Sequence, residues 1–201
     1  MTSEIAADKP TKRKIIRAAV PLFATRGVAG VSVKDIAEAA GVNVALISYY
    51  FGGKENLYAS VLKFHMDLWE RTIAVLAAAD LPPVEKLQRF VNTAMDLHKK
   101  HPYLNRLFLN ELVNPTKYFE LLVDESRMRL RQLFQDWLRE GISQGLFRPD
   151  IDPYCAALAL NNLVHFYFAT AKFSDQPGDE DARATRYFEQ AIAIYLHGVM
   201  R

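Results

Sequence analysis

The chain has 201 residues, 50% of them hydrophobic and 24% charged, a balance that fits a globular protein with a real core and excludes a disordered or fibrous one. One cysteine, Cys155, rules out an intramolecular disulfide, and no apolar run approaches the roughly 18–20 residues that span a bilayer, so a cytoplasmic protein with no membrane partner is expected. The net charge of +2 hides an asymmetry: residues 1–60 carry eight Lys and Arg against five Asp and Glu, the remainder seventeen against eighteen, so only the head has an excess suited to a polyanion.

No segment alternates as a strand does, and apolar residues recur at helical spacing between Gly and Pro punctuation. The expected fold is all α, with about nine helices: an N-terminal three-helix domain containing a helix-turn-helix, then a C-terminal helical bundle. Residues 1–10 read as a loose polar leader. Residues 11–26 form the first helix, with Ile15, Ala19, Leu22 and Phe23 on one face, Gly27 as its stop, and Pro21 predicting a bend. The apolar part of this stretch is interrupted by Arg17, Pro21 and Arg26, which makes it a poor signal peptide.

Ser32-Val33-Lys34-Asp35 has the form of a capping box and starts a short helix over 33–40. Gly41 ends it, Val42 plugs the turn, and Asn43 caps another short helix over 44–50. Two short helices joined by a tight glycine turn make a helix-turn-helix. After Gly52-Gly53 a long helix over 54–78 connects to the body. Further helices are expected over 84–100, 102–113, 115–144 with a break near Asp124, and 153–173, and a last one follows the polar stretch 174–181. Domain boundaries follow at 11–53 for the helix-turn-helix domain and 54–201 for the body.

On the third helix Ile47 and Phe51 share one side, while Ala45 and Tyr49 point away with Ser48 beside them. A helix fits the major groove. Small Val44 and Ala45 let its backbone approach bases, and the Ser48 hydroxyl can donate or accept. Tyr49, Tyr50, Lys34, Lys54 and the cap residue Ser32 suit phosphate contacts, which position the protein without reading sequence.

Residues 15–62, above all the run from Gly41 through Asn43, Ser48, Tyr50 and Lys54 to Leu57, resemble the DNA-binding domain of TetR-family repressors. The stretch from Gly145 to Asp150 resembles that family's loop before its penultimate helix. The resemblance implies a homodimer on palindromic double-stranded operator DNA, a separate effector-binding domain, and repression relieved by a small ligand. Where the family commonly has Thr-Leu-Tyr-Tyr-His-Phe, this chain has Leu46-Ile47-Ser48-Tyr49-Tyr50-Phe51, so its operator is its own.

The body is rich in aromatic residues at helical spacing, which serve more often as core than as a ligand pocket. A pocket for a small, largely apolar effector would draw on Trp69, Phe108 and Trp137 and on polar residues set in apolar stripes: His65, His98, Asn110, Asn162 and His165. Candidate dimer contacts on the last two helices are Ala157, Asn161, Tyr187, Ala191, Ile194, Tyr195 and Gly198. His98 and His101 lack the partners of a metal site, so neither metal nor cofactor is expected. No nucleophile triad, phosphate-cradling loop or paired-carboxylate motif points to an enzyme. The alternative to a regulator is a ligand-binding or scaffolding helical dimer whose head reads no DNA sequence.

Overall fold

The computed structural model describes residues 2–170 and 179–201, with the side chains of 2–9 and 169 left aside. Among the described residues there are nine α-helices: α1 (Thr2–Arg26), α2 (Val33–Ala40), α3 (Ala45–Phe51), α4 (Lys54–Ala77), α5 (Pro83–Lys100), α6 (Leu104–Val113), α7 (Asp124–Ser143), α8 (Pro153–Thr170) and α9 (Glu180–Val199). A π-helical turn, Phe119–Val123, leads into α7 and supplies the break expected near Asp124. The expected end of α8 at Phe173 and most of the polar stretch 174–181 lie outside the described residues.

Helix α1 starts at Thr2 rather than Thr11 and runs through both Pro10 and Pro21. Each proline removes one hydrogen bond. Opposite Pro21 the freed carbonyl belongs to Arg17, an exposed residue, so water can take the missing place. Upstream of Pro10, Glu4, Ala6 and Ala7 are good helix formers.

The chain packs as two compact units, Met1–Asp67 with Arg106–Val123, and Leu68–Asn105 with Asp124–Arg201. Helix α4 supplies residues 54–67 to the first and 68–77 to the second.

In the first unit Ile15, Ala19 and Phe23 of α1, Ile36 and Ala40 of α2, Ile47 and Phe51 of α3, Leu57, Tyr58, Val61 and Leu62 of α4, and Leu107 of α6 form one buried cluster. Tyr58 meets Phe23 edge-on at 5.1 Å, and its hydroxyl donates to the buried Glu111 carboxylate at 2.5 Å. Glu111 also accepts from the Thr116 amide at 3.2 Å and from its hydroxyl at 3.0 Å. A buried carboxylate is tolerated because these donors replace water. Burial, then the Glu111 contact, raises the Tyr58 phenol well above its ordinary range.

The second unit packs α5 and α8 around α7, with Phe90, Phe134, Leu138, Leu160, Val164 and Phe188 buried. The turn after α7 is closed by Gly145 in the left-handed region at φ 71°. It is then tied to the chain's end: Arg148 N–H donates to Val199 at 2.9 Å and Arg201 N–H to Leu146 at 3.2 Å. Gly141 is what admits the buried Phe147 ring, since a Cβ there would lie 2.2 Å from ring carbon Cδ2. Gly141→Ala is therefore expected to displace Phe147 and destabilise the protein by about 1–3 kcal/mol, the usual range for overpacking. Urea unfolding would show this as a lower midpoint with an unchanged slope.

Candidate nucleic-acid interface and body cavity

Helix α2 begins with the capping box that its sequence predicts: the Ser32 hydroxyl accepts from the Asp35 amide at 3.1 Å, while the Ser32 amide donates to the Asp35 carboxylate at 2.8 Å. That amide, then the Ser32 hydroxyl, holds the Asp35 carboxyl below the usual carboxylate range. Gly41 closes α2 at φ 56°, in the left-handed region. The Asn43 side chain accepts from the Ala45 amide at 2.8 Å, so it does cap the next helix, but α3 starts at Ala45 and Val44 occupies the N-cap. Gly52 ends α3 at φ 70°.

Helix α3 buries Ile47 and Phe51 and turns its other side outward. Val44 is 42% and Tyr49 74% exposed, with Ala45 and Ser48 exposed beside them. Tyr50 is half-buried, packing edge-on to Tyr49 at 4.9 Å and to Phe51 at 6.5 Å. Lys34 is exposed and Lys54 half-buried. All eight sequence-predicted interface residues thus lie in α2, α3 and their flanks in the first unit, but they are not equivalent. Ser32 is committed to its cap, and Tyr50 braces Tyr49. The groups left facing outward are Lys34, Val44, Ala45, Ser48 and Tyr49.

The candidate effector residues separate. His65, Phe108 and Asn110 belong to the first unit. His65 and Phe108 are buried there, and the Asn110 amide donates to the Ala24 carbonyl at 3.2 Å, holding α6 to the end of α1. In the second unit Trp137 lies in the core beside Phe134, ring centroids 5.7 Å apart, because both occupy the buried stripe of α7. Asn162 is exposed, on the side of α8 opposite Leu160 and Val164.

The structure does bring Trp69, His98 and His165 together around a small cavity within the second unit, with Asn105, His101 and Phe168. Its volume, about 10 Å³, holds roughly one water molecule. His165 Nδ1 is 2.5 Å from the Asn105 side-chain oxygen, and the Asn105 amide donates to the His165 carbonyl at 2.8 Å. The Trp69 and His165 rings are 5.5 Å apart. The His98 ring stacks on Phe168 at 3.6 Å, and its Nδ1 is buried without a hydrogen-bond partner among the described residues. Burial pushes both imidazoles down to about 4, against the opposing pull of Asp181 on His98. Among the described residues the cavity lining has no Asp, Glu, Lys or Arg, only the imidazoles. Sequence reasoning missed Asn105, whose place among Leu104, Leu107 and Phe108 on α6 gave a polar signal no stronger than that of Asn110. Among the described residues no group of three His, Cys, Asp or Glu could hold a metal ion.

Of the candidate dimer residues, Tyr187, Ile194 and Gly198 are exposed, Ile194 at 71%. Asn161 and Tyr195 are half-buried, and the Tyr195 hydroxyl donates to the Ala156 carbonyl at 2.9 Å. Ala157 and Ala191 are buried within the chain's own packing, so their small size serves the approach of α8 and α9 to their own neighbours. Tyr154, Leu158 and Phe166, spaced by multiples of four on the outward side of α8, are exposed apolar residues that the small-residue criterion passed over. No helix of the described residues is long and apolar enough to cross a membrane.

Comparison with known proteins places two family models on the chain: bacterial regulatory proteins of the tetR family over residues 15–61, and the tetracyclin repressor-like C-terminal domain over residues 83–192. The transcriptional regulator YttP of Bacillus subtilis is 32% identical over 136 residues, covering 67% of this chain and 66% of its own length. The transcriptional repressor NicS of Pseudomonas putida is 29% identical over 163 residues, 78% of this chain and 75% of that protein. In fold, the ketosteroid transcriptional regulator KstR2 of Mycobacterium tuberculosis superposes with a TM-score of 0.79 at 21% identity, over 94% of this chain and 95% of that one.

The two neutral imidazoles make stability depend on pH in a defined sense. An unfolded histidine takes its proton near pH 6.5, His98 and His165 in the folded chain near 4, so between these values the unfolded state binds more protons and stability falls on acidification. The expected loss is up to about 1.4 kcal/mol per pH unit for each histidine, less for His98, which is partly exposed. Urea unfolding at pH 7, 6 and 5 should show the decline, and His98→Leu should flatten it; equal slopes in the two proteins would exclude His98 as a contributor.

Proposed function

The chain belongs to the TetR family of bacterial regulatory proteins, and from that premise we propose that it is a transcriptional repressor that binds a palindromic operator as a homodimer and is released by a small, largely apolar effector. Residues 11–53 read the DNA, and residues 54–201 bind the effector and dimerise, in the cytoplasm. The observation that carries the reading is the outward face of α3. A tyrosine 74% exposed, with Val44, Ala45 and Ser48 bare beside it, is a surface without a task inside the folded chain, on a helix that fits the major groove. The alternative, a helical dimer that reads no DNA, gives that face no role.

Ser48 reads base edges and Tyr49 and Lys34 hold phosphates, with Ala45 admitting the backbone. The outward stripe of α8, with Tyr187 and Ile194 of α9, provides the apolar surface of the dimer; a two-fold axis then places half-sites whole helical turns apart, about 34–36 Å each. The cavity beside Trp69, His98, Asn105 and His165 is the effector site. Its uncharged lining favours an uncharged ligand with an apolar body and one or two hydrogen-bonding groups.

Selection from a random DNA pool should enrich a palindrome, and failure to enrich any sequence would favour the alternative. On the selected site Tyr49→Ala should weaken binding to all sequences alike, whereas Ser48→Ala should cost about 1 kcal/mol on the preferred base only and relax specificity at one position per half-site. Equal losses from both variants on every DNA would defeat this division of roles. Sedimentation should give a dimer at micromolar concentration, and Ile194→Asp should shift it toward monomer.

A further inference from the structure

Residues 10–26 contain five cations, Lys12, Arg13, Lys14, Arg17 and Arg26, and no acidic residue. Arg26 finds Asp35 at 3.8 Å. The other four have no ion pair among the described residues. On α7, by contrast, cations have acidic partners one turn away: Arg127 pairs with Asp124, Arg129 with Glu125, and Arg139 with Asp136. Residues 10–26 of α1 offer no acidic residue at that spacing. Arg13 and Arg17 are also four residues apart, a like-charge spacing that costs a few tenths of a kcal/mol unless an anion lies between them.

Arg13, Lys14 and Arg17 line an open groove of about 540 Å³ together with Pro10 and Ala18 of α1 and Ala39 and Ala40 of α2. The three alanines in its lining leave room for a chain to lie in it. Two contacts fix the groove beside the helix-turn-helix. The Lys14 ammonium reaches the Gly41 carbonyl at 3.4 Å, in the turn between α2 and α3, and Lys12 stands 5.4 Å over the ring of Phe51, the last residue of α3. A single long hydrogen bond leaves Lys14 two of its three donors.

We propose that this α1–α2 groove is a second DNA site, which takes the phosphodiester backbone flanking the bases under α3 through Arg13, Lys14 and Arg17. The proposal rests on the reading of the protein as a DNA-binding regulator. Charge complementarity identifies the occupant. Cations without counter-charges exchange condensed counterions for phosphates and gain the entropy of their release, and interactions of this kind carry no sequence information. The footprint therefore extends past the base-read positions.

The test is a salt titration of binding to the selected operator by the full-length protein and by the triple variant Arg13→Gln, Lys14→Gln, Arg17→Gln. A second triple variant, Arg71→Gln, Lys99→Gln, Lys100→Gln, removes the same charge from exposed positions of the second unit. Lys12 is left in place to preserve its position over Phe51, and circular dichroism confirms equal helix content. Every phosphate that the variant no longer neutralises reduces the slope of log K against log salt by about 0.9, hence up to about 3 per protomer for the α1 variant. Its affinity should fall at least about tenfold at low salt, with the same palindrome recovered from a random pool. A slope equal to that of the second triple variant, or a changed palindrome, would overturn the proposal while leaving the regulator reading intact. Failure of the unaltered protein to select any DNA would instead remove the regulator reading and this inference with it.

Discussion

A helix of seven residues does not hold itself together in water, because the cost of nucleation is recovered only over longer stretches. Helix α3 exists because Ile47 and Phe51 are buried in the cluster built by α1, α2, α4 and α6, and because glycines at 41 and 52 accept left-handed backbone at its two approaches. Everything proposed for its other face depends on that anchoring. With two side chains inward, the intervening residues have no freedom to turn in, and Tyr49 is held out at 74% exposure. The bracing of α6 in the same unit, through Asn110 to Ala24 and Glu111 to Tyr58, keeps the cluster from opening on that side. Its polar cost is met by donors placed within the fold.

The body solves the opposite problem. Its cavity carries the buried His165, the half-buried His98 and a buried amide, and satisfaction is uneven: Asn105 and His165 form a reciprocal pair, whereas His98 Nδ1 has no partner among the described residues. The cavity that His98 lines has room for one water molecule, a partner of the right size for that nitrogen.

The fold was legible where local chemistry decides. The capping box at Ser32, the glycine turn at Gly41 and the short helix after Asn43 follow from hydrogen bonds within four residues of one another, so the sequence shows them directly. Helix α1 starts at Thr2 rather than Thr11 because the polar stretch 1–10, which reads as a loose leader, contains the good helix formers Glu4, Ala6 and Ala7. The effector candidates show the limit. Trp137 and Asn162 sit on helices with the expected period, but which stripe meets a cavity depends on how α5, α7 and α8 pack, and that is a long-range matter. Asn110 and Asn105 look alike in sequence, five residues apart on one helix. One braces the first unit and the other lines the cavity of the second. Periodicity finds the buried side of a helix and does not say what it is buried against.

A cavity of about 10 Å³ is far below the roughly 300–1,000 Å³ of a site for a drug-sized ligand. On the proposed reading the closed body and the ligand-bound body must therefore be distinct states. A ligand shifts such an equilibrium only by its difference in affinity for the two states. Here that difference is set by volume: the closed form excludes the ligand altogether, so the whole binding energy acts on the opening. The apparent affinity is then the intrinsic one multiplied by the fraction of molecules already open, and an open population of about 1% weakens binding about a hundredfold. Tight packing of His98 on Phe168 lowers that fraction and stabilises the closed form, which makes sensitivity to the ligand and stability of the free protein two readings of one interaction. A larger side chain would fill the cavity and fix the closed form. Trimming Phe168 would raise the open fraction at the expense of stability.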